Sequence, residues 1–277
     1  MRLTNHAAKL AIYAILLSGA VVSIFPFYWL MVTATLPSQD ILRFPPVMLP
    51  GDQFMMNYSA LINTVRFGRS MLNTLFVAGV VMVSVAVFSS LAGFLFAKFT
   101  FPAKKFLFAV VMLTMMIPVQ LLLVPLFIVM NQLNWGSTFQ ALIVPNLVNA
   151  FGIFWIRQYA ETAIHDDLLN AGRIDGCGTL RLFTHIGFPV LLPAVSFLAL
   201  YTFMHMWNDY LWPLIVMTKS DRFTVQLAIA QLYGTFYSVD YGMVMAGIFL
   251  ATLPLILVFL LVGKQFMNNI AMGAIKG

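Results

Sequence analysis

SMLNTLFVAGVVMVSVAVFSSLAGFLFA, residues 70–97, runs for 28 residues between Arg69 and Lys98 without one formal charge. A helix rises about 1.5 Å per residue, so such a run crosses the roughly 30 Å hydrocarbon core of a bilayer with length to spare. The same pattern recurs outward along the chain. Lys9 and Asp40 enclose 30 uncharged residues, Arg181 and Asp209 enclose 27, and Asp240 and Lys264 enclose 23. Between Lys105 and Arg157, 51 uncharged residues are interrupted near the middle by Asn131, Gln132, Asn134, Gly136 and Ser137. Such polar, glycine-bearing punctuation reads as a tight turn between two spans. The expectation is an all-α polytopic membrane protein with six transmembrane helices. The alternating segments of about ten residues that a transmembrane barrel needs are absent.

Composition agrees. Of 277 residues, 61% are hydrophobic and 9% charged, with a mean hydropathy of +0.93. A soluble domain carries about 25% charge, so a soluble enzyme is excluded. Disorder, collagen and a disulfide scaffold are excluded as well, and the lone Cys177 reads as a small packing residue. Fifteen basic residues against nine acidic ones would suggest nucleic acid in a soluble protein. In a membrane chain they mark cytoplasmic loops. With the N-terminus inside, the inner segments hold Arg2, Lys9, Lys98, Lys104, Lys105, Arg157, Arg173, Arg181, Lys264 and Lys276, and the outer ones hold Arg43, Arg66, Arg69, Lys219 and Arg222. That asymmetry puts both termini in the cytoplasm and gives no reason to expect a nucleic-acid partner. The apolar stretch after Lys9 is too long for a signal peptide. It passes Pro26 and the cluster Phe27, Tyr28 and Trp29, and reads as a retained first span with an interfacial aromatic anchor.

Catalytic chemistry is missing from the sequence. There is no G-x-x-x-x-G-K-[ST] phosphate loop, H-E-x-x-H zinc pair or G-x-S-x-G nucleophile turn, and His6, His165, His185 and His205 are scattered. No metal or cofactor is expected on this chain. Ion-coupled carriers bury several ionisable groups near the midplane, whereas only Asp209 qualifies here. It stands in Trp207-Asn208-Asp209-Tyr210, four residues after His205, and helical counting puts both on a face with Thr202. Two readings stay open. Thr202, His205, Asn208 and Asp209 either line a passage or face a partner, or Asp209 is an interfacial residue between Trp207 and Trp212.

Charge concentrates in one loop, at Arg157, Glu161, Asp166, Asp167, Arg173, Asp175 and Arg181. Residues 166–171 read as a short amphipathic helix with acids in its first turn, where the helix dipole favours them. Gly176 breaks it, and a second helical turn with Leu180, Leu182 and Phe183 leads to Pro189 and Pro193. A solvated connection would not explain the buried-type residues Leu168, Leu169, Ile174 and Phe183, so a compact knob is expected.

The run Asn170-Ala171-Gly172-Arg173-Ile174-Asp175-Gly176-Cys177, followed by Phe183, Ile186, Pro189 and Pro193, resembles the EAA loop of ABC-importer permeases. The resemblance extends from about Met71 to Val262. It includes Asn73-Thr74-Leu75, Met116-Ile117-Pro118, Pro125-Leu126-Phe127, Trp207-Asn208 with Leu211 and Pro213, and beyond it the closing Gly273-Ala274-Ile275-Lys276-Gly277. These features are similar to the carbohydrate-uptake branch and its smaller maltose-type subunit. Asn170 stands where the family has Glu, and Gly172 where it has Ala.

The resemblance implies a type I ABC-importer permease fold. Residues 1–69 would form a tail, first span and outer loop, residues 70–264 the transporter core with a coupling loop at about 158–188, and residues 265–277 a cytoplasmic tail. Leu168, Asn170, Ala171, Gly172, Asp175 and Gly176 would form the ATPase-coupling loop, with Leu168, Ala171 and Gly172 on its docking face. The implied partners are a second homologous permease, two cytoplasmic ABC ATPases that bind ATP and Mg, and an extracytoplasmic solute-binding protein, in a bacterial inner membrane. The implied function is alternating-access import of a sugar or oligosaccharide, without enzymatic activity in this chain. An ATPase-independent carrier or channel for a small polar solute is the alternative, and a scaffold without transport would leave the knob unexplained.

Overall fold

In a bilayer every backbone N–H and C=O must find its partner within the segment or in protein, which leaves long apolar runs only the helix. The computed structural model describes residues 6–233 and 239–274, with side chains over 8–233 and 239–261, and its regular structure among these residues is entirely helical. Among the described residues five helices are long and apolar enough to cross a membrane: Ala8–Ala34, Phe67–Lys98, Phe139–Ala163, Thr179–Trp207 and Tyr241–Leu261. A further pair, Lys104–Met116 and Val119–Gln132, is bent by 100° at its junction. Counted as one broken span it brings the total to the six expected. Of the closing Gly273-to-Gly277 motif, residues 275–277 lie outside the described residues, as does Arg2.

The break has a local cause. Pro118 has no N–H, and its ring drives the preceding residue out of the helical region. Ile117 is extended, at φ −83° and ψ 118°, with its N–H reaching back to Thr114 at 3.4 Å. A new helix then starts from Pro118.

Contacts divide the chain into two units. One comprises Gly68–Ala228 and Leu255–Gly277, and within it glycines let the spans touch at backbone distance. A Cβ on Gly93 of the second span would lie 2.7 Å from Ile156 Cβ and 2.9 Å from the Arg157 backbone nitrogen in the fourth. Gly152 faces Ser89 and Leu198, and Gly187 receives the ring of fully buried Phe94. Small residues of this kind carry helix packing in membranes, where the hydrophobic effect offers no drive between helices. Trp155 and Trp212 donate their indole N–H groups to the carbonyls of Ala194 at 3.2 Å and Ala141 at 2.9 Å.

At the end of the second span away from Lys98, buried Asn73 donates to the Asp221 and Phe223 carbonyls, both at 3.0 Å. Beside it, Thr74 Oγ1 accepts the Val225 N–H at 2.7 Å. The tight turn expected between the third and fourth spans is present, with Asn134 and Ser137 at φ 56°. Arg222 ties that turn down by donating to the Ser137 carbonyl at 2.9 Å.

The other unit comprises Met1–Phe67 and Ile229–Pro254. Buried Asn57 donates to the carbonyls of Ala34 at 3.0 Å and Leu36 at 2.9 Å, satisfying the end of the first helix. The Ser38 hydroxyl pairs with the Asp240 carboxylate, which also accepts the Met243 N–H at 3.2 Å. The apolar window of the first span is wholly exposed.

Candidate functional site

The charged loop folds as a knob built from two short helices. Asp166–Ile174 carries Asp166 and Asp167 in its first turn and Arg173 in its last, so both ends complement the helix dipole. It stops at Gly176, whose φ of 79° is the left-handed conformation that glycine adopts without penalty. The Gly176 N–H then bonds the Arg173 carbonyl at 3.1 Å, and the Cys177 N–H bonds that of Gly172 at 2.9 Å. This is the paired C-terminal closure of a Schellman motif. Thr179–Leu182 follows and passes through a wide turn at Phe183–Gly187 into the helix Phe188–Trp207. The knob is therefore continuous with the fifth span.

Its two faces differ. Leu169, Gly172, Leu182 and Phe183 are buried, and a Cβ on Gly172 would meet Leu182 Cδ2 at 2.7 Å and Ile186 Cδ1 at 3.0 Å. Gly172 thus belongs to the inner packing and not to the docking face where the sequence placed it. Leu168, Asn170, Ala171, Ile174, Asp175 and Gly176 are exposed. Leu168 lies on the outer face where the docking reading put it, and Ile174, whose apolar character suggested burial, joins it there at 87% exposed.

Asn170 accepts a hydrogen bond from Arg173 at 2.9 Å. Lys98, at the end of the second span, bridges to Asp166 at 2.9 Å, and only 8% of the lysine side chain is exposed. Sequence reasoning missed this tie; a lone cation closing a charge-free run was its signal. Hydrogen bonding to Lys98, and then the charge of Lys98, hold the Asp166 carboxyl below its ordinary 3.8. The tie is consequently complete above that ordinary value and is lost only as pH falls through the lowered one.

A second arrangement lies at the other end of the fifth span. Tyr201, Met204, His205, Asn208, Asp209, Tyr210 and Leu211 line a cavity of about 570 Å³. His205, Asn208 and Asp209 come together there as expected. Thr202 does not: it is buried, and its hydroxyl has no hydrogen-bond partner among the described residues. The exposed arc of the helix runs through Tyr201, Met204, His205 and Asn208. Thr202 lies about 60° round the helix from His205, on the buried side with Phe203, Met206 and Trp207, and the helix itself ends at Trp207. Beyond that end Asp209 accepts the Trp212 N–H at 3.4 Å. Tyr201 and Tyr210 were missed, although Tyr201 stands one helical turn before His205. The lining offers phenols, an imidazole, an amide and a carboxylate to solute hydroxyls, and it contains no lysine or arginine. Among the described residues no group of three or more His, Cys, Asp or Glu could hold a metal.

Residues 87–269 match the family described as binding-protein-dependent transport system inner membrane component. The chain is 34% identical to the lactose transport system permease protein LacG of Rhizobium radiobacter, over 95% of each chain. It is 31% identical to the arabinooligosaccharides transport system permease protein AraQ of Halalkalibacterium halodurans, over 93% of each. It is also 29% identical to the sn-glycerol-3-phosphate transport system permease protein UgpE of Escherichia coli, over 93% of this chain and 94% of that one. In fold it superposes, at a TM-score of 0.80 and 20% identity, on a chain of the crystal structure of a bacterial ABC transporter involved in the import of the acidic polysaccharide alginate. That match covers 96% of this chain and 100% of the other.

Proposed function

We propose that this chain, which belongs to the family of binding-protein-dependent transport system inner membrane components, forms half of the pathway by which a sugar or oligosaccharide is imported. It is an importer permease that works with other transporter components; it is not an enzyme, and ATP hydrolysis in ABC importers is carried by a separate ATPase. The observation that carries the proposal is the exposed outer face of Leu168, Ala171 and Ile174 on a short helix that the Gly176 turn joins to the helix Thr179–Trp207 of the fifth span. An ATPase docked there moves the span as a lever, and the pathway alternates between inward- and outward-open states.

In this reading two ATPases with bound ATP and Mg, a second homologous permease and an extracytoplasmic binding protein complete the complex. Leu168, Asn170, Ala171, Asp175 and Gly176 shape the docking loop from its outer side, and Gly172 supports it from within. The core is residues 70–264, with 1–69 before it and 265–277 after it. A cavity of phenols, amide and carboxylate without a cation suits an uncharged, hydroxyl-rich solute, as the lactose and arabinooligosaccharide relatives would suggest. A carrier without an ATPase is disfavoured by family membership. The deciding experiment is uptake in cells that lack every candidate ATPase partner: loss is expected, and unchanged uptake would overturn the proposal.

The excess of lysine and arginine in the inner segments supports a cytoplasmic location for both termini. Single cysteines near Lys104 and near Asn134, in a Cys177→Ala background, are expected to differ in labelling by an impermeant reagent, with only the Asn134 site reacting from outside. Labelling of the Lys104 site in intact cells would invert the topology.

For the cavity, Asp209→Leu is expected to leave the amount of membrane-inserted protein unchanged and to reduce uptake at least tenfold, a rise of about 1.4 kcal/mol in the transport barrier. A charge at the hydrocarbon centre costs about 2.5 to 3.5 kcal/mol on insertion scales, so Asp209 facing lipid would have to sit at the interface. Normal uptake by the leucine variant would support that interfacial position.

A further inference from the structure

Behind the knob, where the second span ends and the third begins, Lys98, Phe99, Lys104, Asp166, Asn170 and Arg173 line a cavity of about 310 Å³. Three cations share it with one carboxylate. Asp166 is taken by Lys98 at 2.9 Å. Lys104 uses one of its three donors on the Phe99 carbonyl at 2.8 Å. Arg173 donates to the neutral amide of Asn170 at 2.9 Å and rests 5.4 Å above the Phe99 ring. Neither Lys104 nor Arg173 has an ion-pair partner among the described residues. Asn170 orients the guanidinium and brings no negative charge to it.

We propose that this cavity binds the phosphate of an anionic phospholipid headgroup. Its depth fits, because Lys98 is the last residue of one span helix and Lys104 the first of the next. An amphiphile fits better than a free anion or a protein carboxylate, because exposed Leu107, half-buried Val111 and exposed Met115 follow Lys104 on one face of its helix, at steps of three and four residues. They give an acyl chain an apolar strip that starts at the cation. Basic pockets between spans recognise anionic headgroups in this way, and each cation near the surface contributes about 1 kcal/mol, or about fivefold in retention. The site goes beyond the ATPase-docking role of the same loop, which occupies the knob's outer face.

The test is native mass spectrometry of the purified full chain with its partner subunits, after exchange into phosphatidylglycerol or phosphatidylcholine of identical acyl chains. Phosphatidylglycerol is expected to be retained preferentially. Lys104→Gln and Arg173→Gln should each weaken that retention about fivefold, while Lys104→Arg, which keeps the charge, restores it. Equal retention of the two lipids would overturn the proposal. Displacement of phosphatidylglycerol by inorganic phosphate alone would overturn it in favour of a free anion. Loss of ATPase copurification from Lys104→Gln with unchanged lipid retention would overturn it in favour of an ATPase contact. ATPase copurification with the unsubstituted chain tests the docking role separately.

Discussion

Gly93→Val is expected to remove the permease from the membrane. Even the first added carbon would stand 2.7 Å from Ile156 Cβ and Cγ2 and 2.9 Å from the Arg157 nitrogen. A flexible side chain could swing aside; backbone nitrogen and a β-branched carbon cannot. The second and fourth spans would have to separate, which also opens the neighbouring contact of Gly152 with Ser89 and Leu198. Overpacking costs about 1 to 3 kcal/mol where side chains can adjust and more where they cannot, against a total stability of about 5 to 15 kcal/mol. Immunoblotting of membranes for a tagged permease should show at least a tenfold loss. Gly79→Val, in the same helix but with nothing within 4 Å of the added carbon, serves as the control and should accumulate normally. Normal amounts of the Gly93 variant would mean that the two spans do not meet there.

Gly176→Val should act in the opposite manner, leaving the protein in the membrane and abolishing uptake. Space is not the obstacle, since a Cβ at Gly176 touches nothing within 4 Å. Conformation is: φ of 79° costs a side-chain-bearing residue about 1 to 2 kcal/mol, and more if it is β-branched. Relief comes by unwinding the end of Asp166–Ile174, at the expense of the bonds from Gly176 to Arg173 and from Cys177 to Gly172. The outer face of Leu168, Ala171 and Ile174 is then misdirected. ATPase copurification measured beside uptake checks this. Gly176→Asn, which tolerates the left-handed region, should retain part of both activities. Full uptake by the valine variant would dissociate Gly176 from coupling.

The span boundaries were legible because charge is expensive in lipid: the run closed by Lys98 ends where the helix Phe67–Lys98 ends. The acids, the glycine stop and the second turn of the knob were legible because each is a local preference. What escaped the sequence depends on neighbours far along the chain. Gly172 reads as small on either face, and only Leu182 and Ile186, brought back after the Gly176 turn, make it an inner residue. Thr202 shares a helical angle with His205 only approximately, and which side of that angle is covered is set by packing around Trp207 and Met206. The break at Pro118 was hidden because proline is common in membrane helices; Pro26, Pro125, Pro193 and Pro254 all sit inside intact ones.

That break also bears on the membrane as an insulator. The two halves, of 13 and 14 residues, reach only about 20 Å each, so neither bridges a hydrocarbon core of about 30 Å alone. At their junction Met116 and Ile117 are uncovered, and the last carbonyls of the first half lose their usual partners four residues on, that of Thr114 taking the Ile117 N–H at 3.4 Å instead. Hydrocarbon cannot solvate them; water or a neighbouring chain must. Around Ile117 lipid alone therefore cannot complete the barrier against ion leakage.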